Sequence, residues 1–135
     1  MDVNNNISEI LKSYKQIAVV GISNKPERAS HDVAWFMQNH GYQIIPVNPG
    51  LDEVLGEKCY PTLLDIPESI EIVDIFRRPE YIDEIVDQAI VIGAKVVWMQ
   101  EGIINEAAAA TAQEAGLEVV MDTCMRATYK RLWPN

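Results

Sequence analysis

Short runs of apolar, often β-branched residues alternate along the chain with longer segments in which apolar residues recur every three or four positions. The short runs predict buried strands, and the periodic segments predict amphipathic helices. The predicted strands are 16–21, 43–47, 70–76, 96–99 and 117–121. The predicted helices are 7–14, 30–39, 79–92 and 105–116, with a short helix at 62–66. Strands that alternate with helices form right-handed βαβ units, so the pattern predicts an α/β fold with a doubly wound, mainly parallel sheet.

The pattern leaves two segments open. Residues 59–61 are consistent with a short strand before the helix at 62–66. Residues 126–133 combine three cations with aromatic and apolar side chains, which fits either a packed C-terminal segment or a further contact to a phosphate.

The first strand, loop and helix form a junction suited to an anion. The strand ends at Gly21, a polar loop containing Pro26 follows, and the helix begins near Ser30. A helix that starts there presents unpaired backbone N–H groups and the positive end of its dipole. Because ligands of open parallel sheets bind at the carboxyl ends of the strands, this junction predicts an anion-binding site.

The composition predicts one domain over residues 1–135 and a small polyanion as its ligand. The length suits a single hydrophobic core, and no linker-like stretch divides the chain. The formal net charge of −9 argues against nucleic acid, whose binding rests on neutralising phosphates. The clustered cations are Lys25, Arg28 and His31 in the first loop, and Arg77 and Arg78 after the strand at 70–76. Local cations in an acidic protein favour a small polyanion.

Neither a membrane segment nor a targeting segment is predicted. Every apolar run is shorter than the ~20 residues that span a bilayer. The first ten residues lack the basic and apolar regions of a signal peptide, so we expect a cytoplasmic protein with no membrane partner. The two cysteines, Cys59 and Cys124, are too few for a disulfide framework and lack the spacing of a zinc or redox motif.

The common nucleotide-binding motifs are incomplete or absent. The dinucleotide fingerprint needs three glycines after the first strand, and of these the chain keeps Gly21 alone. The second strand ends in Val47, Asn48 and Pro49, without the carboxylate that binds the ribose of NAD. No Walker A motif occurs. These features argue against NAD or ATP bound in the usual way.

Several stretches resemble a known family. They are VVGISNKPERASHDVAWFMQNHGYQIIPVNPGLDEVLGEKCYPTLLDIP, IVDIFRRPE and VVWMQEGIINEAAAATAQEAGLEVVMDTC. Together they resemble the small stand-alone CoA-binding proteins and the Rossmann-like CoA-binding domain of the succinyl-CoA synthetase alpha subunit. The resemblance covers residues 7–132 and implies coenzyme A, or an acyl-CoA, as the ligand. The phosphorylatable histidine of that synthetase belongs to a further domain, so the resemblance does not imply ligase chemistry.

The resemblance also implies which loops contact CoA. The residues matching the loop beside the pyrophosphate are Gly21, Ile22, Ser23 and Lys25, with Arg28 and Ser30 completing its rim. The residues matching the segment beside the adenosine are Asn48 and Pro49. The residues matching the loop for adenine and the ribose phosphate are Phe76, Arg77, Arg78 and Pro79. Gln100 is expected to give an amide contact to the pantetheine arm, and Cys124 to lie near the end of that arm.

The residues reveal no nucleophile, base and orienting group placed by a motif, so we predict binding without catalysis. Two enzyme alternatives stay open: a thiol-based redox protein that uses Cys124, and an NAD(P)-dependent enzyme with an atypical loop. Cys124 could also form a mixed disulfide with CoA. A homodimer, or docking on an acyl-transfer enzyme, is open as well.

Overall fold

A computed structural model describes residues 3–134, so the ends of the predicted domain, at residues 1 and 135, lie outside the described residues. The strands, in chain order, are β1 (Gln16–Val20), β2 (Gln43–Val47), β3 (Glu53–Val54), β4 (Glu57–Lys58), β5 (Ile72–Ile75), β6 (Val96–Met99) and β7 (Glu118–Val120). Five of them form a parallel sheet in the order β2-β1-β5-β6-β7, and β3 and β4 form a separate antiparallel hairpin. The predicted α/β class and parallel sheet are confirmed.

The strand order reverses between β1 and β5. The chain passes from β1 outward to β2 and then crosses to β5 on the other side of β1. In register, Val20 pairs with Val47 of β2 and with Ile75 of β5. The loops after β1 and β5 therefore leave the sheet side by side, which is where open α/β sheets bind ligands.

Helices cover both faces of the sheet. They are α1 (Ile7–Ser13), α2 (Ala29–Gln38), α3 (Ile82–Val91), α4 (Glu106–Glu114) and α5 (Met125–Leu132). Alternate residues of each strand enter different clusters: Val73 and Ile75 pack with α3 and α4, whereas Ile72 packs with α1, α2 and α5. Within residues 3–134, no helix is long and apolar enough to cross a membrane.

Several predicted boundaries were wrong. Gly21 lies in a turn beyond β1, because its φ of +87° cannot continue a strand. Residues 59–61 contribute one isolated bridge, between Tyr60 and Val47, instead of a strand. The helix predicted from residue 79 begins with a 3-10 turn, Pro79–Tyr81, before α3. The hairpin of β3 and β4 was not predicted, because two-residue strands are too short to show alternation.

The segment 126–133 falls in and just after α5, which packs against the sheet. Met125 and Thr128 of α5 are buried, and the ring of Tyr129 lies 4.9 Å from that of Trp133. The first of the two interpretations of this segment, a packed C-terminal element, therefore matches the structure.

Residues that do not belong to the sheet cover part of each of its two edge strands. Beyond β7, the backbone N–H of Asn4 donates to Val119 O (3.0 Å), and its side chain accepts from Met121 N (2.7 Å). Beyond β2, the N–H of Tyr60 donates to Pro46 O (3.0 Å), and Pro46 itself has no N–H to offer.

We expect Asn105→Ala to lower the free energy of unfolding by about 1 kcal/mol, because Asn105 caps α4. Its Oδ1 accepts from Ala108 N (3.0 Å), and its Nδ2 donates to Pro79 O (3.0 Å). Urea denaturation measures the loss. Asn105→Asp is the matched control, since it keeps the capping acceptor and loses only the donor. Equal losses in both variants would attribute the effect to the bond with Pro79 and contradict the capping role.

Candidate functional site

Gly21 is the point at which three loops converge. Its N–H donates to Val47 O of β2 (2.9 Å), and its φ is +87°. A Cβ on this residue would lie 2.5 Å from Phe76 O and 2.8 Å from Arg77 Cδ, both in the loop after β5. Only glycine fits this close approach, so the loops after β1, β2 and β5 meet here without an intervening side chain.

The loop after β1 is shaped by two serines. Ser30 Oγ, at the buried start of α2, accepts from Ser23 N (2.9 Å), and Ser23 Oγ accepts from Lys25 N (3.0 Å). These bonds fold the loop over the start of α2, beside a cavity of about 420 Å³. The cavity is lined by Gly21, Ser23, Lys25, Arg28, Ala29, Ser30 and Phe76. This lining contains two cations and, among the described residues, no carboxylate, so the cavity suits an anion.

The loop after β2 is fixed by Asn48. Its Nδ2 donates to Ile22 O (2.8 Å), and its Oδ1 accepts from Gly50 N (2.8 Å). The Asn48 side chain therefore joins the β2 loop to the β1 loop, while the buried Ile22 contributes its carbonyl to the same link. Asn48 positions this edge of the sheet, and its neighbour Pro49 lines a cavity.

A second cavity, of about 280 Å³, lies on the α3 side of Gly21. Its walls are mostly apolar, and its polar lining residues are Thr62, Arg77, Tyr81, Glu84 and Gln88. The guanidinium of Arg77 stacks 4.4 Å from the centre of the Tyr81 ring, and that of Arg78 lies 5.8 Å from the same ring. The cavity thus combines one cation, one carboxylate and an amide with apolar walls, a combination typical of pockets that bind small molecules.

Gln100, expected from the sequence to contact the pantetheine arm, has a buried side chain. It is 3% exposed, its Nε2 donates to Asp74 Oδ1 (2.5 Å), and its Oε1 accepts from Met125 N (3.3 Å). Both ends of the amide are held inside the protein, so the side chain has turned inward from the loop that the sequence associates with the pantetheine arm. Burial raises the pKa of Asp74 to about 7, against a smaller lowering by the Gln100 hydrogen bond.

The two cysteines lie apart from both cavities. Cys124 caps α5, where its Sγ accepts from Ala127 N (3.4 Å), and it lines a separate depression with Arg126 and Lys130. Arg126 joins α5 to α2 through Asp32, with Nη1 2.5 Å from Oδ1. Cys59 is buried, and burial raises the pKa of its thiol.

The structure gathers most of the predicted site residues around Gly21. Those lining one of the two cavities are Gly21, Ser23, Lys25, Arg28, Ser30, Pro49, Phe76 and Arg77. Ile22 and Asn48 hold the loops, Arg78 and Pro79 follow at the exposed rim, and Gln100 and Cys124 lie elsewhere.

Sequence reasoning missed Tyr81, Glu84 and Gln88. Their spacing of i, i+3 and i+7 places them on one helical stripe next to Arg77, and this polar stripe could have identified them. Asp74, a single acid within an apolar run, was also overlooked. Within residues 3–134, no group of three or more His, Cys, Asp or Glu side chains could hold a metal ion.

The chain is similar in sequence and fold to several known proteins. The chain is 44% identical over 123 residues to the uncharacterized protein YneT of Bacillus subtilis, covering 91% of each. A solved hypothetical protein from Pyrococcus horikoshii is 50% identical, with a TM-score of 0.92 over 97% of this chain and 92% of that one. The ADP-forming acetate–CoA ligase II of Archaeoglobus fulgidus is 31% identical over 83 residues, which is 60% of this chain but 12% of the ligase. Residues 15–130 match the CoA binding domain. The chain belongs to the CoA binding domain family.

Proposed function

We propose that this protein binds CoA or an acyl-CoA across the loops after β1, β2 and β5. The observation that carries the proposal is the pair of chemically different cavities on either side of Gly21. The first has cations and, within residues 3–134, no carboxylate in its lining, and the second is mainly apolar with a few polar groups. A nucleotide with a pyrophosphate at one end and a base at the other needs this combination.

The pyrophosphate is proposed to bind in the cavity beside α2. Lys25 and Arg28 supply the positive charge, and the Ser23 and Ser30 hydroxyls already organise the loop around it. The absence of a side chain at Gly21 lets a phosphate approach the backbone closely. The protein as a whole carries a net charge of −9, which repels anions. The clustered cations make this edge of the sheet the place where an anion is attracted.

The nucleoside is proposed to bind in the cavity beside α3. Its walls include Val20, Val47 and Ile85, and the Glu84 carboxylate and Gln88 amide can hydrogen-bond a base or ribose hydroxyls. Arg77, held against Tyr81, is the cation available to a phosphate on the ribose, and Arg78 stands at the exposed rim. This arrangement predicts that Arg77 distinguishes CoA from 3′-dephospho-CoA.

The pantetheine arm is proposed to leave the site past the loop after β6. Since the Gln100 side chain is engaged with Asp74 and Met125, contacts to the arm would come from the exposed Glu101 and Gly102. The name of the archaeal relative, a CoA ligase, supports CoA over other nucleotides. The missing carboxylate after β2 argues against NAD.

Calorimetric titration with CoA, 3′-dephospho-CoA and NAD tests this function. We expect saturable binding of CoA and weaker binding of NAD. Lys25→Ala should lower the affinities for CoA and for 3′-dephospho-CoA alike, by about 10-fold, because it removes a charge-assisted contact to the pyrophosphate that both ligands contain. Arg77→Ala should lower the affinity for CoA by about 10-fold or more, because it removes the contact to the ribose phosphate. The affinity for 3′-dephospho-CoA, which lacks that phosphate, should fall much less.

The matched control is Lys95→Ala. Lys95 is an exposed lysine just before β6, at the opposite edge of the sheet, so its loss makes the same change in net charge away from the site. It should leave CoA affinity within about 2-fold, since charges beyond the Debye length are screened. Binding of NAD without CoA would overturn the proposal, as would an equal effect of all three substitutions.

A further inference from the structure

Asp74 is a carboxyl group buried within the sheet, near the carboxyl end of β5. It is 1% exposed and lies on β5, one residue before that strand ends. Its strand neighbours in register are Val19 on β1 and Trp98 on β6, so no charge opposes it within the sheet. Strand alternation places it on the same face as Ile72, which is the face that α2 covers. The cavity proposed for the pyrophosphate is formed at the start of α2, on this same face.

A hydrogen-bond chain connects Asp74 to α5. Gln100 donates from Nε2 to Asp74 Oδ1 and accepts at Oε1 from the N–H of Met125, the first residue of α5. The Met125 N–H can only donate, so it fixes the orientation of the Gln100 amide. Asp74 Oδ1 is therefore an acceptor whether or not the carboxyl group is ionised, and a proton would bind at Oδ2.

The ionisable groups on the helices covering this face are engaged elsewhere or exposed. On α1, Glu9 and Lys12 lie 3.9 Å apart, and Asp32 of α2 is paired with Arg126 of α5. The cations in the loop before α2, Lys25 and Arg28, are exposed, as are Lys130 and Arg131 on α5. Other titratable groups near the starts of α2 and α5 are His31, Cys124 and the exposed Glu27 and Asp122, and α5 also carries Tyr129. Asp74 therefore has a neutral amide as its hydrogen-bond partner.

We propose that Asp74 binds a proton when an anionic ligand occupies the cavity beside Gly21, and that Gln100 transmits this change to the start of α5. The proposal rests on the proposed function, because it takes the pyrophosphate of CoA as the anion. A negative ligand near a buried carboxylate disfavours its ionised form, and the proton comes from solvent. The hydrogen bond to Gln100 survives, but its acceptor changes from a charged to a neutral group and weakens. Ligand binding therefore weakens the hydrogen-bond chain through Gln100 that holds the Met125 end of α5.

Linkage gives the direction of the effect. The pKa of Asp74 is about 7 in the free protein, and the ligand raises it further. CoA binding should therefore take up protons near neutral pH, and the affinity should fall as the pH rises through 7. A rise of one pKa unit on binding corresponds to a 10-fold loss of affinity between the acidic and alkaline limits.

The test compares the full-length protein with its Asp74→Asn variant by calorimetric titration of CoA. Titrations at pH 7 in buffers of different ionisation enthalpy give the number of protons taken up, and a series from pH 6 to 8.5 gives the affinity. Asparagine has nearly the same shape, keeps the acceptor for Gln100 and cannot ionise. We expect the wild type to take up about 0.3–0.5 proton more than the variant, and to lose about 10-fold more affinity across the series.

The comparison cancels proton exchange by the CoA phosphates and by the rest of the protein, because the two proteins differ only at residue 74. Equal proton uptake by the two proteins would overturn the coupling while leaving CoA binding intact. No binding by either protein would overturn the proposed function, and the coupling with it.

Hydrogen exchange at the Met125 amide tests the link to α5. Exchange should become faster in the wild type when CoA binds, and should not change on binding in Asp74→Asn. Gln100→Leu should make exchange fast in both the free and bound states, because it removes the acceptor of the Met125 N–H. A Met125 amide that CoA leaves unchanged in the wild type would overturn the link.

Discussion

Replacement of Gly21 by alanine is expected to lower the free energy of unfolding by about 3 kcal/mol and to abolish measurable CoA binding. The new Cβ would lie 2.5 Å from Phe76 O, a backbone atom that cannot move without displacing the loop after β5. The φ of +87° adds about 1–2 kcal/mol for a residue that has a Cβ. The steric clash and the backbone strain both arise at the residue where the proposed pyrophosphate and nucleoside cavities meet, so both should disturb the binding site.

Urea denaturation and CoA titration measure the two losses, and Gly41→Ala is the control. Gly41 follows α2 with a similar φ of +92°, but a Cβ there would meet no atom within 4 Å. It should lose about 1 kcal/mol of stability and keep its CoA affinity. If Gly21→Ala behaved like Gly41→Ala, the close approach of the β1 and β5 loops would not matter for the site.

Asp74→Asn is expected to stabilise the protein increasingly as the pH rises. The pKa of Asp74 is raised from 3.8 to about 7 by burial, so between these values the folded state holds a proton that the unfolded state has released. The contribution of Asp74 to the stability of the wild type therefore falls with pH from about 4 to about 7, by up to about 4 kcal/mol. Asparagine titrates in neither state and avoids this loss.

Urea denaturation at pH 4 and pH 8 measures this difference. The two proteins should have similar stability at pH 4, and the variant should be more stable by about 3–4 kcal/mol at pH 8. Asp87→Asn, which makes the same change on the exposed side of α3, should differ from the wild type by less than about 0.5 kcal/mol at either pH. A constant difference for Asp74→Asn at both pH values would mean that Asp74 does not titrate in this range.

The order of strands and helices could be predicted because each element has its own periodic pattern. The apolar run before Gly21 predicts a buried strand from its local sequence alone. The two arginines directly after the β5 run can likewise be assigned to the loop that follows β5 from the sequence alone. The anion-binding edge then follows from parallel topology, since the carboxyl ends of neighbouring strands lie together. This is why Lys25, Arg28 and Arg77 could be associated before their contacts were known.

The direction of a side chain at a strand end could not be predicted in the same way. Gln100 follows β6, where the backbone leaves the sheet, and its amide turns inward because Asp74 and the Met125 N–H both need a partner. Those partners are 26 and 25 residues away in sequence, and no local pattern connects them. Trp35 shows the same limit: it is 48% exposed on α2, whereas Trp98 is fully buried on β6.

The covered edges of the sheet bear on how copies of this protein could associate. An open edge strand is a template for pairing with another chain, and it often leads to aggregation. Here Asn4 occupies hydrogen-bonding groups along β7, and Tyr60 does so at the carboxyl end of β2, where Pro46 lacks a donor. Extension of the sheet from one molecule into the next is therefore disfavoured at both ends. A homodimer, which stays a prediction from the sequence, is therefore less favoured at these covered parts of the sheet edges than at the helical surfaces.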